Sequence, residues 1–265
     1  MKMKKSAGLL CFVVSFTAAL SACSSGHAGS VIPAASLPDA REVLPPPPVP
    51  GSAGQADDDQ VFKATRDLRG SSRWMLAQHD ALLDKATLLE DFSCAVGYKL
   101  DLKQAPHLKS FFDKVAPAIK ERTSQVKHLW HRRRPFVGTD QPTCTTVADL
   151  GLYSSFPSGH TTAGYGMALV LASLLPEKAG PVLQRGRVFG ESRIVCGVHW
   201  KSDVEAGYLN AASQMSVLLR EPSLQEDLKA AQDELRAMAH TQPPVDAAQC
   251  QAERDAADHS LLSAP

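Results

Sequence analysis

The chain has 265 residues, 44% of them hydrophobic and 21% charged, with a formal net charge of zero. That length suits one ordinary domain of about 200 residues with extensions, and the composition excludes a disordered or collagen-like chain. Removing residues 1–22 takes away Lys2, Lys4 and Lys5 and no acid, so 25 basic residues (28 − 3) face 28 acidic ones. A balance of −3 gives no footing for general nucleic-acid binding.

The chain opens with what reads as a targeting segment. Lys2, Lys4 and Lys5 form a basic start, and Gly8 to Ala22 is an apolar run of signal-core length, too short for a convincing spanning helix. It ends Leu20-Ser21-Ala22-Cys23, which resembles a bacterial lipobox. This predicts a signal peptide over 1–22 and lipidation of Cys23, with Ser24 and Ser25 fitting outer-membrane sorting by resemblance to that rule. The alternative is cleavage near Ala22 and a free product; both readings place the domain outside the cytoplasm, in the periplasm. Residues 23–60, with Pro45 to Pro48, Pro50 and the acidic triplet Asp57 to Asp59, read as a proline-rich tether.

From Val61 the pattern is helical. Trp74, Leu76, Ala77 and Leu82-Leu83 recur at helix-like spacing, and Leu88 to Leu100 stays apolar on one side. Leu108, Phe111, Phe112, Val115 and Ile119 predict an amphipathic helix, and Arg122 to Arg134 a separate basic one. Residues 138–156 read as loop, His160 to Leu175 as a buried helix stopped by Pro176, and Pro181–Glu191, Val204–Leu219 and Gln225–His240 as further helices. No alternation long enough for a sheet is present, and the expected fold is a single-domain all-α bundle over 61–250, with 251–265 an irregular tail. Cys94, Cys144, Cys196 and Cys250 predict two disulfides in an oxidising compartment, with three connectivities open. Gaps of 50, 52 and 54 residues, with no Cys-x-x-Cys pair, speak against zinc.

Three segments carry the chemistry. Lys127-His128-Leu129-Trp130-His131-Arg132-Arg133-Arg134-Pro135 places Lys127 and Arg134 seven apart, two helical turns, able to face one spot. By itself the Arg132–Arg134 run reads as a solvated basic face. Pro157-Ser158-Gly159-His160 reads as a turn into a helix, where free backbone N–H groups and the helix dipole favour an anion. Ser192-Arg193 and His199 to Asp203 form the third, with histidine and carboxylate at i, i+4, a spacing also common in purely structural helix pairs. His128 and His131 read as surface groups and Trp200 as packing.

In this order, Lys-x6-Arg-Pro, Pro-Ser-Gly-His and Ser-Arg-x5-His-x3-Asp resemble the three-part signature of the PAP2 acid phosphatase superfamily, shared with vanadium haloperoxidases. Looser resemblance to the class A bacterial non-specific acid phosphatases extends over roughly 61–250. The resemblance implies hydrolysis of small phosphate monoesters, with His199 attacking phosphorus to give a phosphohistidine and Asp203 orienting it. His160 would protonate the leaving group, and Lys127, Arg134, Ser158, Gly159 and Arg193 would bind phosphate. Three cations there do what metal ions do elsewhere, so no metal or other cofactor is expected. The partners implied are small phosphorylated molecules, no nucleic acid, a membrane only through the lipid anchor, and further copies of the chain in a homo-oligomer. Alternatives on the same signature are a nucleotide diphosphohydrolase, a lipid phosphate phosphatase and a vanadate-dependent haloperoxidase; another is a non-catalytic surface lipoprotein.

Overall fold

The structure, a computed structural model, describes residues 31–248 and 250–263. The expected signal peptide over 1–22 and Cys23 lie outside the described residues. The helices are α1 (Ala40–Val43), α2 (Ala53–Arg66), α3 (Ser72–His79), α4 (Lys85–Glu90), α5 (Ser93–Val96) and α6 (Pro106–Trp130), then α7 (Gly159–Leu174), α8 (Ala179–Val195), α9 (Lys201–Leu218), α10 (Gln225–Thr241) and α11 (Gln251–Asp258). Among the described residues there is no strand, only an isolated antiparallel bridge between Tyr98 and Pro244.

Local sequence explains the starts of these helices. Ser52, Ser71, Asp84 and Ser158 each accept a hydrogen bond from a backbone N–H of the first turn, filling one of the four donors a helix start leaves open. α7 lies at the centre, with Met167, Ala168, Val170 and Leu171 buried, and α8 and α9 pack closely on it. Gly207 of α9 permits that approach, because a Cβ there would sit 3.0 Å from the Ser158 carbonyl oxygen. α6 and α10 close one side, Leu108, Phe111, Phe112 and Val115 sharing a core with Leu228, Ala231, Leu235 and Met238. Each of the larger side chains contributes about 1.5–3 kcal/mol by leaving water.

Several sequence expectations change here. α6 runs unbroken through Pro117, where two helices were predicted. Its buried face, Phe111 to Val126, outweighs the one lost backbone hydrogen bond.

The tether reading fails for residues 31–60. Ile32, Leu37, Ala40 and Leu44 are buried, and Arg122 donates to the carbonyls of Ala34 (2.7 Å) and Leu37 (3.0 Å). The proline run is confined to residues 45–50, and the sparse apolar residues before it dock singly rather than as a periodic face. The domain therefore includes at least residues 31–60.

The tail expected over 251–265 is irregular only in part: residues 251–258 are helical, and 259–263 have no regular structure. Cys250 is bonded to Cys94, and α11 follows, with the Ala257 carbonyl accepting from Arg187 at 2.7 Å. The second disulfide, Cys144–Cys196, completes one of the three pairings.

Candidate active site

The three motif segments meet where the C-terminus of α6, the start of α7 and the α8–α9 turn come together. α6 stops at Trp130 because His131 adopts a left-handed conformation, φ 42°. Arg132 to Arg134 thus lie outside the helix, so Lys127 and Arg134 do not share a helical face as the spacing predicted. They converge because the chain turns back: both donate to the Ser154 carbonyl, Lys127 at 2.6 Å and Arg134 at 3.2 Å. Lys127 Nζ also donates to the Pro157 carbonyl at 2.6 Å, which ties α6 to the Pro157–His160 turn.

His199 and Asp203 pair differently from the predicted helix face. α9 begins only at Lys201, so His199 precedes it, and Asp203 sits in its first turn accepting from the Trp200 N–H at 2.8 Å. That carboxylate also faces His199 Nδ1 at 3.3 Å. On its other side His199 Nε2 lies 3.0 Å from Arg134 Nη1. Guanidinium can only donate, so Nε2 is the bare nitrogen and Nδ1 carries the proton toward Asp203. Burial pushes the His199 pKa well below its ordinary value, reinforced by the charges of Arg134, Lys127 and Arg193. The ring is neutral, with a lone pair facing the cations.

Asp203 is held by residues outside the motif. Ser155 Oγ donates to one oxygen, and Arg132 Nη1 to the other at 2.7 Å. Arg132 Nη2 reaches Asp58 at 2.6 Å, and Asp58 also accepts from the Ser202 backbone N–H at 2.8 Å. All of these side chains are buried or nearly so, making a carboxylate–guanidinium–carboxylate chain from α2 to the candidate nucleophile. Neither Arg132 nor Asp58 was singled out by sequence, one hidden in a basic run and the other in an acidic triplet. Arg66 is a third such residue, donating to the carbonyls of Ile194 (2.9 Å) and Val195 (2.7 Å) at the end of α8 and to Pro142 (2.6 Å). Its guanidinium lies against Gly197, whose φ of +75° and close approach to Arg66 suit glycine alone.

The oxyanion side is assembled from Arg193, Lys127, Arg134 and the start of α7. Arg193 is 1% exposed, and its Nε and Nη1 have no hydrogen-bond partner, two buried donors without an acceptor. Ser158 Oγ accepts from Thr161 N at 3.3 Å and Thr161 Oγ1 at 2.9 Å, leaving its own proton available. Gly159 follows at the first helical position, with Lys127 alongside. His160 Nε2 lies 3.3 Å from the Ala81 carbonyl, and burial, then Arg193, pulls its pKa down to about 3. Lys127 falls to about 7, chiefly by burial and then by Arg134.

All the residues predicted to bind phosphate or react with it, Lys127, Arg134, Ser158, Gly159, His160, Arg193, His199 and Asp203, are thus gathered into one place. Ser192 faces away, its hydroxyl donating to Asp80 and accepting from Arg73 at 2.9 Å. His128 and His131 are exposed outside the site, and Trp200 donates to the Arg133 carbonyl at 2.8 Å while packing on Phe62. Among the described residues no helix is long and apolar enough to cross a membrane.

An all-helical domain that turns three cations, a helix start and a neutral histidine toward one point defines an oxyanion-handling protein. Residues 115–220 match the model of the PAP2 superfamily. The chain is 47% identical to an acid phosphatase of Zymomonas mobilis over 75% of its own length and 77% of that protein. It is 36% identical to a non-specific acid phosphatase of Providencia stuartii, covering 74% and 80% of the two chains, and 34% identical to one of Salmonella typhimurium, covering 72% and 78%. The chain belongs to the PAP2 superfamily.

Proposed function

We propose that this protein is an exported acid phosphatase that hydrolyses phosphate monoesters of varied alcohols through a phosphohistidine. The observation that carries the reading is the neutral His199, fixed between Asp203 and Arg134 beside the unsatisfied donors of Arg193. Phosphoryl transfer needs charge stabilisation and positioning above all, and Arg134, Arg193 and Lys127 provide fixed positive charge for the equatorial oxygens.

In the first step the Nε2 lone pair forms a bond to phosphorus as the P–O bond to the alcohol breaks, and the proton on His160 passes to the departing oxygen. The imidazolium character that develops on His199 is stabilised by Asp203. In the second step His160 takes a proton from water, the hydroxide oxygen bonds to phosphorus, and the N–P bond breaks to release phosphate. A bound dianion raises the pKa of His160, so the group that is deprotonated in the free site becomes the acid once substrate arrives. Export rests on Lys2 to Cys23 and is supported by two disulfides, which persist outside the reducing cytoplasm.

Rapid quench with a 32P-labelled ester tests the reading. Acid-labile label on the wild-type chain, missing from His199→Ala, is the expected result; a chain that turns over substrate without ever becoming labelled overturns the covalent route. The acid preference has its own check. Lys127 has a folded pKa depressed to about 7, so its cation is present below that pH and lost as pH rises through it. Loss of that cation therefore adds a limb to kcat/KM near pH 7, and Lys127→Arg, which keeps its charge, moves that limb upward by more than a unit. An unmoved limb assigns it to another group.

A further inference from the structure

Beside the oxyanion site lies a cavity of about 440 Å³, between α6, α7 and the loop after α3, and Lys127, Gly159 and His160 form part of its wall. Its size falls within the roughly 300–1,000 Å³ of small-molecule sites. Much of the remaining wall is apolar: Leu83, Leu88, Phe112, Ile119, Met167 and Met215. Thr123 and Thr162 also line it, but their hydroxyls donate to the carbonyls of Ile119 (2.8 Å) and Ser158 (3.0 Å). Neither retains a proton for a ligand, and both oxygens already accept from Asn210 Nδ2, at 3.0 and 3.2 Å. Ser124, Ala116 and Ala163 and two lysines complete the wall: Lys85 is paired with Asp113, and Lys120 is solvent-exposed.

Position decides what this cavity is for. On the reading above, His160 protonates the leaving oxygen, so the leaving group lies on the His160 side of phosphorus, where the cavity is. The loop that holds His160 through the Ala81 carbonyl also presents Leu82 and Leu83 to solvent, 51% and 39% exposed, with Leu83 at the cavity rim. A sugar or nucleoside placed here gives up many water hydrogen bonds for few replacements, Ser124 and Lys120 among them, whereas a methylene chain gains by leaving water.

We propose that the cavity receives the leaving group as an unbranched apolar chain, making phosphate monoesters of single-chain alcohols the preferred substrates. Phe112, Ile119 and Met167 are the specificity-determining residues that set how much chain is accepted. The proposal rests on the phosphatase reading for its orientation, and its test separates the two.

The experiment measures kcat/KM for methyl, butyl, octyl and dodecyl phosphate below micelle-forming concentrations, beside glucose 6-phosphate. In parallel, calorimetry gives the Kd of the matching alkyl phosphonates, which cannot be hydrolysed. The expected result is a rise of about two- to fourfold per methylene until the cavity is full, in both measurements. Ala163→Phe, one turn beyond His160 on the cavity wall, lowers kcat/KM for octyl phosphate at least tenfold and leaves methyl phosphate within about twofold. Ala116→Phe, on the opposite wall, does the same and serves if the first variant does not fold. Flat or falling series, or a filled cavity that slows methyl and octyl phosphate alike, overturn the proposal. Phosphonate binding that rises with chain length in a protein that hydrolyses nothing supports the cavity assignment and overturns the phosphatase reading instead.

Discussion

His199→Ala lowers kcat by roughly 10⁴-fold or more, the scale on which enzymes lose turnover when their nucleophile is removed. The fold survives, because Asp203 keeps Arg132, Ser155 and the Trp200 N–H as partners. Binding of phosphate or vanadate survives as well, within about tenfold, since the cations and the start of α7 are untouched. His160→Ala behaves differently. It costs about 10²- to 10⁴-fold for alkyl phosphates, whose departing oxygen needs a proton, and much less for p-nitrophenyl phosphate, whose phenolate leaves unaided. Equal losses on both esters for His160→Ala would remove it from the acid's role, and a His199→Ala protein that keeps a tenth of its activity would remove the nucleophile.

Arg132→Met destabilises the domain by about 3–5 kcal/mol, because Asp58 and Asp203 are then left as buried carboxylates with no cation between them. Turnover falls with stability, since Asp203 loses the contact that fixes its orientation toward His199. Adding Asp58→Asn to Arg132→Met removes one of the stranded charges, and the double variant recovers at least about 1 kcal/mol relative to the sum of the single changes. Residues in one ion network show coupling of that size, whereas independent sites do not. Urea unfolding of the four proteins measures it. Strict additivity would mean that the chain from α2 to Asp203 has no energetic reality.

How much of this was open to a reader of the sequence differs by residue. The helices of the core were legible because Leu108, Phe111, Phe112 and Val115, or Met167 to Leu171, bury a face that local periodicity records. The motif residues were legible only together: each segment alone reads as an ordinary turn, basic face or helix pair, and it is the three in order that resemble a known signature. The route by which Lys127 and Arg134 converge was not: it depends on a left-handed His131, a conformation that glycine or asparagine would have announced and histidine does not. Arg132, Asp58 and Arg66 escaped for a related reason. Each acts on a partner more than 70 residues away, and a charge in a run of charges says nothing of what it will meet. Residues 31–60 were misread because a proline run is a strong local signal, while single apolar anchors such as Ile32 and Leu44 leave no periodic trace.

The pairing of Cys94 with Cys250, 156 residues later, sets an order on biogenesis. Cys94 and Cys144 are both made before either correct partner exists, and Cys144 finds Cys196 long before Cys250 is synthesised. A nascent chain therefore passes through an interval in which thiol 94 can capture either member of the other pair. On the export reading proposed above, maturation in an oxidant-rich compartment calls for an isomerase that can undo such captures, and a premature stop anywhere before codon 250 makes the hazard permanent.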